Sequence, residues 1–141
     1  MIKKFNSFFI KNRFFGVVFI RLAFGFHLLY YSWDDVINLT AGDHAEFLNS
    51  LGIPFPAVMS WVYILTQFIG GIFIIVGLKT RLIAIPLIIT FFVAYFLVHG
   101  SDSYKDAYPA LQMLAVSLFF LFNGSGKVSI DHYLKMKKSG E

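Results

Sequence analysis

Four runs of apolar residues, about 14–33, 57–78, 81–99 and 107–123, alternate with short polar stretches along the chain. A helix needs roughly 20 residues to cross a hydrocarbon core about 30 Å thick, so the pattern predicts four membrane-spanning helices in a single domain covering 1–141. The breaks are turn-like. Pro54 and Pro56 lead into the second run, GLKTR (77–81) makes a tight turn into the third, and HGSDSYKD (99–106) separates the third from the fourth. Trp33, Asp34 and Asp35 follow the first run where a cleavable signal would carry small residues, so that run reads as a retained span. The stretch 33–56 reads as a solvated loop.

Two flanking segments have the pattern of helices lying in the membrane surface. In KKFNSFFIKNRFF (3–15), Phe5, Phe8 and Phe9 share a helical side with Lys and Arg around them. SIDHYLKMKK (129–138) offers Ser129 as a helix cap, Ile130, Tyr133 and Leu134 as an apolar stripe, and a basic tail suited to anionic lipid. The fold expectation is therefore an all-α membrane protein, a four-helix transmembrane bundle with short interfacial helices at both termini.

Composition agrees with the pattern. The chain is 57% hydrophobic and only 14% charged, too little charge to cover a soluble domain of 141 residues. With no cysteine, disulfides, thiol catalysis and thiolate metal ligation are excluded for this chain alone. Charge placement orients the bundle. Lys3, Lys4, Lys11, Arg13, Lys79, Arg81, Lys127, Lys135, Lys137 and Lys138 put ten of the twelve basic residues on one side. The positive-inside rule makes that side, and both termini, cytoplasmic in an inner membrane. Asp34, Asp35, Asp43, Glu46, Asp102 and Asp106 put six of the eight acids on the other. Trp33, Trp61 and most of the tyrosines fall at the same outer end, as an aromatic interface belt or as the rim of a ligand mouth.

Few residues can carry chemistry. The acids are scattered and no His pair has ligand spacing on one helix, so no metal site is expected. GSGK (124–127) is no phosphate loop, because Leu121 stands where the first glycine is required and a membrane helix precedes it. Nothing indicates nucleic acid as a partner.

Arg21 is the anomaly. It lies eight residues beyond Arg13, about 12 Å deeper along a helix, where an arginine costs at least ~2.5–3.5 kcal/mol. Two fates are open: snorkelling to the cytoplasmic headgroups, or facing the bundle to meet Gln67 or a ligand's carbonyl or anionic group. His27 with Tyr31, and Tyr95 with His99, are pairs one turn apart in the outer half. With Gln67 and Gln112 they make up a candidate outer cavity able to hydrogen-bond a quinone head, or they satisfy one another across helices. Bis-His haem ligation is disfavoured, since His27 and His99 differ in depth. Thr66, Gly70, Gly71 and Gly77 are small residues suited to close helix packing.

Arg21-Leu22 followed by Gly25, then FLNSLGIPFP (47–56), GGIFIIVGLKTR (70–81), His99 and NGSGKVSID (123–131), together resemble the DoxX family of small four-helix membrane proteins. The resemblance runs from about Arg21 to Asp131. It implies membership of membrane oxidoreductase systems, as a subunit of quinone-linked assemblies or a partner in thiol-redox complexes. The chain departs from the family pattern at Tyr31, Ser32 and Asp35, where His-Gly and a following Lys are common. It departs again at Gln67, where an acid often precedes the Gly-Gly. Arg21 facing Gln67 would keep a net cation.

The expected role is a small accessory or scaffold subunit of a larger membrane complex, binding quinone or lipid if it binds a small molecule. The alternative is a quinone-linked oxidoreductase subunit with its site in the outer half. A solute or lipid carrier is the weakest reading, because no internal repeat marks inverted halves. The expected partners are the lipid bilayer and other membrane subunits.

Overall fold

A computed structural model of the chain describes residues 7, 10–12 and 14–140, and among them every regular element is helical. The elements are α1 (Phe14–Asn38), α2 (Ala41–Ser50), α3 (Pro56–Val76), α4 (Thr80–Val93) continued by a π-helical turn (Ala94–Val98), α5 (Tyr104–Asn123) and α6 (Ile130–Ser139). The helix expected over 3–15 falls largely outside the described residues.

Three helices are long and apolar enough to cross a membrane: α1, α3, and α4 with its π turn. The fourth expected span, α5, is also 20 residues long. Its first turn holds Tyr104, Lys105 and Asp106, and this polar start dilutes its apolar character. All four nevertheless share one core. Phe24 and Leu28 of α1 meet Ile74 of α3, Ala84, Leu87 and Phe91 of α4, and Leu114 and Phe120 of α5. The Phe24 ring lies 5.8 Å from Phe120 and 6.4 Å from Phe91, within the range of favourable aromatic pairing. Phe19, Phe26, Ile89, Phe92 and Phe122 are exposed, which suits helices whose outer solvent is lipid.

Two adjacent glycines let α3 pack on two neighbours. A methyl group on Gly71 would lie 2.9 Å from Leu29 Cγ and 3.0 Å from the Gly25 carbonyl oxygen, so α1 and α3 cross with their backbones nearly touching. Gly70 turns the other way, where a methyl group would lie 3.3 Å from Leu87 of α4. In lipid, where burial of apolar surface gives no drive between helices, such close contact is the main source of association.

The stretch 33–56 is not the expected loop. The first helix runs on to Asn38, and α2 follows after a two-residue turn. Tertiary bonds hold it: Asp35 Oδ1 accepts from Thr40 Oγ1 and lies 3.0 Å from His44 Nε2. The buried Ser60 hydroxyl donates to the Ala41 carbonyl at 2.7 Å, fastening α2 to α3. An acid that reads as solvated in sequence is here a half-buried staple.

Candidate functional site

The polar residues gather at the two ends of the bundle. At the basic end, α3 stops at Gly77, which takes a left-handed conformation (φ 68°). Leu78 N–H bonds to Phe73 O and Gly77 N–H to Ile74 O, closing a Schellman cap. The segment 123–131 then folds back over this end. Its Ser125 carbonyl accepts from Arg21 Nη1 at 2.7 Å, and Gly77 O accepts from Asp131 N–H at 3.0 Å. The Asp131 carboxylate accepts from the Lys79 and Thr80 amides at 2.7 and 3.1 Å, placing a negative charge at the start of α4, where the helix dipole favours it. Ser129 caps α6 as expected, its hydroxyl accepting from His132 N–H at 3.2 Å. Arg81 Nη2 donates to Phe122 O at 3.1 Å.

Arg21 is therefore buried and faces the protein, but its partner is not Gln67. The carbonyl of the α5–α6 connection reaches it first. A sequence reading looks for side-chain acceptors on neighbouring helices and cannot foresee a loop carbonyl 104 positions away. Arg21 is 4% exposed, and its Nε has no hydrogen-bond partner among the described residues; the same holds for Thr80 Oγ1. Removing the clamp has a measurable consequence. Asp131→Ala should destabilise the bundle by about 1–2 kcal/mol, through the lost trans cap and dipole contact, as read from unfolding in mixed micelles. Asp131→Asn, which keeps an acceptor, should lose less.

Toward the acidic end, Tyr63 lies on α3 one helical turn before the buried Gln67. The Tyr63 ring lies 5.6 Å from that of His44, which in turn is paired with Asp35. Asp35, His44 and Tyr63 thus form a polar string across α1, α2 and α3 at this end, with Gln67 one turn further along α3. The sequence pattern does not mark Asp35, His44 or Tyr63 as site residues. The only signal available was Asp35 in place of a basic residue of the family pattern.

The remaining candidates separate. His27 and Tyr31 stack with ring centroids 4.5 Å apart, Tyr31 being exposed. Tyr95 and His99 line a shallow depression of about 340 Å³ with Phe96, Asp102 and Tyr104. The π turn makes it: the His99 amide bonds back to Ala94 O, and His99 Nδ1 sits 2.8 Å from Asp102 Oδ2. His27, Tyr31, Gln67 and Gln112 do not line this depression, and Gln112 is exposed on α5. Arg21 lies at the other end. Among the described residues, no three His, Asp or Glu side chains converge as metal ligands.

No curated protein and no solved structure matches the chain. The DoxX family model matches residues 16–100. That span takes in Arg21, the Gly25–Gly71 crossing, Gly77, Arg81 and His99, while the clamp segment 123–131 lies beyond it. Three membrane-length apolar helices, a glycine crossing and a match over well more than half its length place this chain in the DoxX family of membrane proteins.

Proposed function

We propose that this chain is a four-span inner-membrane protein with both termini cytoplasmic, serving as a small accessory or scaffold subunit of a larger membrane complex. The charge asymmetry supports the orientation: Lys79, Arg81 and Lys127 share the end where α1 begins and α5 ends. One observation carries the structural role. Groups a ligand would use are engaged within the protein: Arg21 Nη1 with the Ser125 carbonyl, His44 with Asp35, and His99 with Asp102. Polar residues in membranes that satisfy one another specify packing, and a rigid bundle with a lipid-exposed apolar surface suits docking against other spans.

A second reading, a quinone-linked oxidoreductase subunit, is favoured by the depression at the π turn. Such turns are common at functional sites, and Tyr95, Phe96 and Tyr104 give it aromatic walls beside an Asp-oriented imidazole. Purification from native membranes separates the two. The accessory reading expects a stoichiometric partner and no saturable quinone binding by the isolated chain. Saturable binding that is weakened in both His99→Ala and Asp102→Asn would establish the second reading instead.

A further inference from the structure

A half-open groove of about 690 Å³ lies at the basic end, outside the clamp just described. Ile10 and, on α1, Phe14 and Val17 give it an apolar lining, and Lys11 and Lys127 line it as well. Gly126 also lines it, and a methyl group there would lie 3.2 Å from Val17 Cγ1, so the loop packs close against the helix.

Two further facts make the groove more than a gap between surface lysines. Arg21 lies one helical turn beyond Val17 on the same face, and its carbonyl partner Ser125 immediately precedes Gly126. Among the described residues the ion pairs are His44–Asp35 and His99–Asp102, so the buried guanidinium has no carboxylate counter-ion there. Two cations, Lys11 and Lys127, therefore line the cleft, with the buried Arg21 behind it and the acid of this end, Asp131, already committed to the α4 amides. A soluble anion would leave the Phe14 and Val17 wall unused, and a neutral lipid would leave the charge unmet. An anionic phospholipid uses both.

We propose that this groove binds the phosphate of an anionic phospholipid between Lys11 and Lys127, with acyl chains along Phe14 and Val17. The inference rests on the membrane location of the chain and is independent of its accessory or redox role. The test is native mass spectrometry of the purified full chain, titrated with phosphatidylglycerol or phosphatidylcholine of matched acyl chains. Phosphatidylglycerol should be retained about tenfold more tightly. Near a membrane surface each basic contact contributes about a fivefold preference, so Lys11→Gln or Lys127→Gln alone should weaken binding about fivefold and the pair about thirtyfold. Lys135→Gln with Lys137→Gln removes equal charge from α6 and should leave retention nearly intact. Equal binding of the two lipids would overturn the proposal. So would an equal loss in the α6 control, which would assign the effect to diffuse charge. Displacement of the lipid by millimolar inorganic phosphate would also overturn it, in favour of a soluble anion.

Discussion

Gly77→Val should be the most damaging single substitution in the chain, costing about 3 kcal/mol or more in unfolding titrations from mixed micelles. Two costs add at this position. The backbone is left-handed, a conformation disfavoured for side chains with Cβ by ~1–2 kcal/mol and more for a branched one. The space is also taken: a Cβ would lie 2.6 Å from Ser129 Cβ and 2.7 Å from Arg21 Nη1. Overlap in a packed interior costs about 1–3 kcal/mol further. The clash should force the segment 123–131 away and break the Arg21–Ser125 bond. Coupling tests this mechanism. Gly77→Ala combined with Arg21→Ala should be less destabilised than the sum of the two, because the second change removes part of the overlap. Strict additivity would show that Arg21 takes no part in the overlap, leaving the left-handed backbone and the Ser129 contact.

Gly71→Leu should separate α1 from α3, with a loss of about 3 kcal/mol in the same assay. Here the obstacle is backbone. The Gly25 carbonyl stands 3.0 Å from where the new Cβ would be, and a carbonyl cannot rotate aside as a side chain can. The helices must move apart, forfeiting the close contact that holds them in lipid. Gly70→Ala meets only flexible side-chain ends, Leu87 at 3.3 Å and Ile83 at 3.5 Å, and should cost less than 1.5 kcal/mol. Equal effects at the two neighbours would contradict the assignment of Gly71 to the α1 crossing.

Much of this architecture is legible in the sequence because it depends on local or additive quantities. The apolar runs set the helices at 14–38, 56–76, 80–98 and 104–123 close to the expected spans, since hydropathy and length act along one segment at a time. The cap at Ser129, the tight turn at 77–81 and the small residues of the α3 crossing are likewise readable from residue type. Basic residues cluster at one end for the same reason. What folding alone decided is which polar groups meet. Arg21 could not be matched to Ser125, because its acceptor is a main-chain carbonyl that any residue carries, brought close only when 123–131 closes over the bundle. Asp35 reads as a solvated acid until α2 swings His44 back to it. Gln67, expected opposite Arg21, is buried on α3, while the guanidinium meets the Ser125 carbonyl instead. Hydrophobic pattern is a property of a segment and survives in one dimension; a hydrogen bond is a property of a pair, and the geometry of that pair exists only in the assembled bundle.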